Sequence, residues 1–308
     1  MEQDRRFSRW MDTLPGHFRA HRFAASGLAL GGLMVLLLLA QSLLHLVANG
    51  SSAVVSYALL GGGAGFLATA MGALPALFLS GIPQKAEDTM LGLAAGMMLA
   101  ASAFSLLLPG LDAGREILGS GVLAASVVVF GMALGVALML GLDAFTPHEH
   151  PSGGPCGPGY DRCNRVWLFV LAIALHNLPE GMAVGVGFAK GDMGVGLPLA
   201  TAIALQDLPE GLAVALALRA AGVQVWRAVL IAAASGLLEP VGALLGVGLS
   251  SGLAVSYPVG LGLAAGAMLF VVSHEVIPET HRNGHQTPAT LGLMVGFAIM
   301  MTLDTTLG

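Results

Sequence analysis

Nine apolar runs of about twenty residues or more make up most of this chain, and they constrain its fold more than any other feature. A helix needs about 20 apolar residues to cross the roughly 30 Å hydrocarbon core of a bilayer, so each run is long enough to span. Lettered A to I, they cover 27–48, 53–80, 89–108, 116–143, 166–189, 194–219, 226–254, 258–280 and 288–307. Only 13 Lys plus Arg and 18 Asp plus Glu occur in 308 residues, and 56% of the chain is hydrophobic. A soluble fold would have to expose large apolar patches, so the solvent is lipid. The 44 Gly fit helices that approach each other closely in a membrane. The expected fold is therefore an all-α integral membrane bundle. Residues 1–26 form a cytoplasmic N-terminal segment, 27–48 an extra transmembrane helix, and 53–308 an eight-helix domain with a cytoplasmic loop at 144–165. No basic surface is present for nucleic acid. Cys156 and Cys163 lie in that loop and build no disulfide framework.

Orientation follows from the positive charges, because cytoplasmic loops near span ends hold the excess of Lys and Arg. With the N-terminus inside, Arg5, Arg6, Arg9, Arg19, Arg22, Lys85, Arg162, Arg165, Arg219, Arg227 and Arg282 are cytoplasmic, and only Arg115 and Lys190 are outside. The C-terminus is then outside.

The sequence repeats itself on spans that run in opposite directions. Span E carries Ala174-Leu175-His176-Asn177-Leu178-Pro179-Glu180-Gly181, and span F, 30 residues on, carries Ala204-Leu205-Gln206-Asp207-Leu208-Pro209-Glu210-Gly211. Span C reads GLAAGMML from Gly92 and span H reads GLAAGAML from Gly262. Spans B to D thus mirror G to I around E and F. This 3+2+3 plan of inverted repeats belongs to secondary transporters, whose sites lie near the midplane where the repeats meet.

Glu180, Asp207, Glu210 and Glu239 all fall inside spans. An unpaired acid at a span centre costs about 2.5–3.5 kcal/mol or more, and no Lys or Arg occupies a span interior to offset it. Protonation or bound metal cations remain. Residues three and four apart share a helix face, so His176, Asn177 and Glu180 present nitrogen and oxygen together, and Gln206, Asp207 and Glu210 repeat the arrangement. Glu239 precedes Pro240 on span G. Pro179 and Pro209 lack the N–H that would reach Leu175 and Leu205, and a broken helix at this depth lines a cavity. Met98 on span C adds a soft donor. Taken singly, Met98 reads as packing and His176 as a buried histidine bonded to a carbonyl. Together with four uncompensated acids they read as a site for borderline divalent ions, zinc first, then cadmium, iron, cobalt or manganese. Four carboxylates carry enough charge for two such ions.

At these residues the chain resembles the ZIP (Zrt/Irt-like protein) family of divalent metal transporters, and its bacterial GufA-like branch. The HNLPEG of 176–181 is similar to the family's fourth-helix signature, and the likeness runs over spans B to I. The resemblance implies metal ligands at His176, Asn177, Glu180, Gln206, Asp207, Glu210 and Glu239, in two adjacent positions bridged by Glu180 and Glu210. It also implies the bacterial cytoplasmic (inner) membrane. Many members have His where this chain has Gln206, and span A is extra to the usual eight.

An ion route is expected along one face of span C, from Met98 through Ser105 to Asp112 at seven-residue steps. Inward, Met268, His274 and Glu275 on span H and Asp143 at the end of D are the counterparts, with His148, Glu149 and His150 in the loop. His274 and Glu275 rank above Asp304 as pathway groups. The expected function is a secondary transporter carrying Zn2+, with Cd2+ or Fe2+ as alternatives, into the cytoplasm by alternating access. Spans C and H, rich in Gly and Ala, form a smooth wall past which E, F and G move. No P-loop sequence is present. The rival reading is an intramembrane metal-dependent enzyme, for which the HExxH of zinc proteases and the ExxH of di-iron proteins are missing. The sequence leaves oligomeric state open, a homodimer included.

Overall fold

In hydrocarbon every backbone N–H and C=O must find its partner within the protein, and a helix achieves that within one segment. Runs B to I fold accordingly. A computed structural model of the chain describes residues 53–79, 81–145, 148–150, 154–156, 165–220, 222–250 and 254–307, with Ala40 and Leu44, and of those that fall between 143 and 176 it describes the backbone alone. The N-terminal segment and, apart from Ala40 and Leu44, span A lie outside the described residues.

The elements in chain order are α1 (Ala53–Ala73, continued by a 3-10 turn over Leu74–Leu77), α2 (Gln84–Ala100), α3 (Leu108–Leu118), α4 (Gly121–Phe145), β1 (His148–His150), β2 (Gly154–Cys156), α5 (Arg165–Phe188), α6 (Met193–Ala220), α7 (Val225–Ser235), α8 (Leu238–Ser250), α9 (Ser256–Val271), α10 (Ile277–His281) and α11 (Gln286–Leu307). Seven helical stretches among the described residues are apolar and long enough to cross a membrane. Helix α5, of 24 residues, completes the bundle.

Burial separates the inner helices from the outer ones. Most of α9 and half of α6 are buried, whereas α11 buries only the stripe Ala289, Gly292, Gly296 and Met300. Leu291, Met294, Val295 and Met301 of α11 are exposed, as a lipid-facing surface requires. The main packing partners are α2 with α11, α4 with α9, α5 with α8, and α1 with α6.

Glycines let these pairs meet backbone to backbone. A Cβ at Gly92 or Gly96 of α2 would stand 2.2 Å from Ala289 O or 1.9 Å from Leu293 O, and one at Gly262 or Gly266 of α9 would stand 2.4 Å from Val128 O or 2.3 Å from Met132 O. Gly92, Gly96, Gly262 and Gly266 are therefore fastened to α11 and α4 and form no sliding surface. The alanines beside them, Ala95, Ala264 and Ala265, share the principal core with Leu199, Ala202 and Ile203 of α6.

Further expectations are corrected, and irregularities appear that the sequence did not announce. Span C is 35 residues long, Gln84–Leu118, about 52 Å as helix, so it outruns the bilayer core. It continues past Pro109 because Ala101–Leu107 is π-helical, and Leu108 N–H reaches back to Ala103 O. Span H does the same before Pro278, with a π segment over Val272–Val276. Such one-turn widenings absorb the backbone partner and the space that a proline removes. Helices α5 and α6 run unbroken through Pro179 and Pro209; the break falls in span G, at Gly236 and Leu237 between α7 and α8. The loop after α4 holds a short antiparallel hairpin, β1 with β2.

Candidate metal centre

The break in span G positions the centre. Helix α8 starts immediately before Glu239, which lies in its first turn, where the positive end of the helix dipole favours a carboxylate. Pro240 falls in the same turn, where a missing N–H leaves no helix bond unmade. Gly181 brings α5 against this turn, since a Cβ there would stand 2.1 Å from Glu239 O. Gly211 brings α6 equally close to α1, its Cβ position 2.2 Å from Thr69 O.

Glu180, Asp207 and Glu210 each place a carboxylate oxygen within 4.8 Å of the others. Glu180, Asp207 and Glu239 are buried and Glu210 is half-buried. Gln206 donates its Nε2 hydrogen to Glu180 Oε1 at 2.5 Å. Thr69 of α1 donates to Glu239 Oε1 at 3.1 Å. Five buried polar atoms of this centre meet no partner among the N–H, hydroxyl and carbonyl groups of the described residues: Asn177 Nδ2, Glu180 Oε2, Gln206 Oε1, Asp207 Oδ2 and Glu239 Oε2, with Asp207 and Glu239 near enough to share a carboxyl hydrogen. An unpaired buried polar atom is costly, and a charged one more so. The four oxygens among them, on α5, α6 and α8, form an acceptor-rich cavity that a divalent cation satisfies, whereas Asn177 Nδ2 is a donor and would offer such an ion only its amide oxygen.

Of the residues expected from sequence, Asn177, Glu180, Gln206, Asp207, Glu210 and Glu239 converge here. His176 lies on α5 one turn before Glu180, and its side chain is outside the described residues. Met98 is buried in the principal core on α2. Thr69 and Gly65, both on span B, were missed. The signal was present in the repeat, because Thr69 stands 170 positions before Glu239, the offset that relates span C to span H.

The expected outer route does not hold as a single face. Met98 and Ser105 are buried, but Asp112 is 72% exposed and paired with Arg115 at 3.1 Å. The π segment between them changes the register, so seven-residue steps no longer keep one side. Ser105 instead donates to Asp304 at 2.6 Å, which places Asp304, ranked last from sequence, in contact with span C. On span H, Glu275 is buried, whereas His274 is exposed and stacks on Phe270 at 4.9 Å. Met268 is buried. The side chains of Asp143, His148, Glu149 and His150 are outside the described residues, as is Cys163 altogether.

Fold and centre together define an integral membrane protein with a carboxylate cluster able to hold metal within its helices. A family model described as ZIP zinc transporter matches residues 148–304. Similar proteins include zinc transporter ZIPB of Bordetella bronchiseptica, 64% identical over 94% of both chains. Zinc transporter GufA of Myxococcus xanthus is 45% identical over 78% of this chain and 95% of its own. Human zinc transporter ZIP11 is 32% identical over 78% of this chain and 94% of its own. The chain belongs to the ZIP family of zinc transporters, with GufA-like relatives, and is a transporter rather than an enzyme.

Proposed function

We propose that the protein carries Zn2+ into the cytoplasm, accepting Cd2+ and Fe2+ as well, through a two-ion centre that is exposed to one side of the membrane at a time. The observation that carries this is the set of four buried oxygens on three helices that meet no N–H or hydroxyl donor among the described residues. The first ion is held by His176, Glu180, Gln206 and Glu210, with Met98 as a soft donor in the outward-facing state. The second is held by Asn177, Asp207 and Glu239, and Glu180 and Glu210 bridge the two. The asymmetry of positive charge supports a cytoplasmic N-terminus and an external C-terminus, in the bacterial cytoplasmic membrane to which the family resemblance points.

Alternating access rests on the inverted repeat, which the close approaches support position by position. Gly181 meets Glu239 O, and Gly211, 30 residues on, meets Thr69 O; Gly242 meets Leu178 O, and Gly72, 170 residues earlier, meets Leu208 O. The bundle divides into a group that carries the ligands, α1 and α5 to α8, and a group of α2 to α4 and α9 to α11. Most glycine seams tie helices within a group, Gly260 of α9 against Ser250 of α8 being an exception, and the alanine faces meet between the groups. An ion shifts such an equilibrium only by binding its two states unequally, and a Met98 contact made in one state supplies that difference.

Reconstitution into vesicles holding a zinc-responsive dye tests the proposal. Wild-type protein should admit many ions per copy, and Glu180→Gln should admit none. A signal that saturates at one or two ions per protein would show a binding protein instead.

A further inference from the structure

Thr69 lies on span B, which carries none of the candidate ligands, yet it is buried and directed at one of them. Its hydroxyl has one hydrogen and two acceptors within reach, Gly65 O at 3.2 Å and Glu239 Oε1 at 3.1 Å. The side chain is wedged in place. A Cβ at Gly236, in the break between α7 and α8, would stand 3.1 Å from Thr69 Cβ and 3.2 Å from its Oγ1. The other oxygen, Glu239 Oε2, meets no N–H or hydroxyl donor among the described residues. It lies 1.6 Å from where a Cβ of Gly65 would be, and Asp207 Oδ2, likewise without such a donor, lies 3.0 Å from the same point. Among the described residues these two carboxyl groups, from α6 and α8, have only each other as side-chain partner on this side and converge on a space that exists because residue 65 has no side chain.

We propose that Thr69 is a positioning residue that holds Glu239 Oε1 aside, so that Glu239 offers one oxygen, Oε2, to the second ion. The inference rests on the two-ion reading above. Its consequence is specificity. A carboxylate tethered at one oxygen binds through the other, which suits a small transition-metal ion, whereas the bidentate grip typical of large cations such as Ca2+ needs both oxygens free.

The test is calorimetric titration of purified full-length protein with Zn2+, and in parallel with Ca2+. Wild type should bind two Zn2+. Thr69→Val keeps the shape and removes the hydroxyl; it should weaken the second Zn2+ by about tenfold, the worth of one hydrogen bond to a charged group. It should leave the first ion within about twofold and narrow the preference for Zn2+ over Ca2+. Thr69→Ser should restore both properties. Gly65→Ala is the second variant, displacing the flexible end of Glu239 and eliminating the second ion while the first persists. Two Zn2+ bound by Thr69→Val with wild-type affinities, or a Ser variant as impaired as the Val variant, would overturn the proposal. Only one Zn2+ in wild type would instead overturn the two-ion reading beneath it.

Discussion

Gly181→Ala should damage the protein through one contact whose size the structure provides. The added methyl would stand 2.1 Å from Glu239 O and 2.7 Å from Glu239 Cα, whereas carbon contacts settle at about 3.5–4.0 Å. Both neighbouring atoms are backbone, so no side chain can turn away, and α5 and α8 must part by about 1 Å. Overpacking of this kind costs about 1–3 kcal/mol. Because the displaced residue is Glu239 itself, the second metal position should weaken together with stability. Gly63→Ala is the matched control, since nothing lies within 4 Å of its Cβ position; alanine's helix propensity should make it neutral or stabilising by up to about 1 kcal/mol. Thermal unfolding of both variants in detergent without metal, followed by Zn2+ titration, measures the two effects. Equal midpoints for both variants, or a Gly181→Ala protein with wild-type Zn2+ affinity, would refute the claim that the glycine seam sets the geometry of the centre.

His176→Ala should abolish vesicle uptake, because neutral imidazole is the strongest nitrogen donor in the proposed ligand set, while Asn177→Ala should retain measurable uptake; equal losses would reject the ranking of the two positions. Single cysteines at Ala113 and Gly153 should differ in accessibility, with an impermeant thiol reagent labelling Ala113→Cys from outside intact cells and leaving Gly153→Cys unlabelled; the reverse pattern would invert the topology. A completed crosslink between cysteines on α2 and α5 should block uptake yet preserve Zn2+ binding in one state, and full uptake under that crosslink would favour a fixed pore.

The carboxylate cluster was legible in sequence because charge inside a twenty-residue apolar run is conspicuous and costly, and because the LPEG turn is written twice. Gln206, Asp207, Glu180 and Glu239 needed no structure to be singled out. Thr69 was not legible by the same logic, since a threonine in a membrane helix usually bonds its own backbone four residues back, and its second acceptor on α8 appears only when the helices pack. The spans emerged near their positions, but their ends and irregularities did not. Apolar content marks where lipid is, and helix α3 with Asp112 and Arg115 continues beyond it. Proline suggested breaks at 179 and 209 that do not occur, while the chain breaks at Gly236 and Leu237, where Pro240 lacks the N–H that would reach Gly236 O and the small residue lets α1 approach. The glycines of spans C and H announced close packing without saying on which side.

The most direct test of the two-ion centre is anomalous diffraction from crystals loaded with Cd2+. Two anomalous peaks within about 4 Å of each other, as in two-metal sites, both in contact with Glu180 and Glu210 and the second also with Asp207 and Glu239, is the predicted result. A single peak, or peaks that leave Glu180 and Glu210 without metal, would contradict the account.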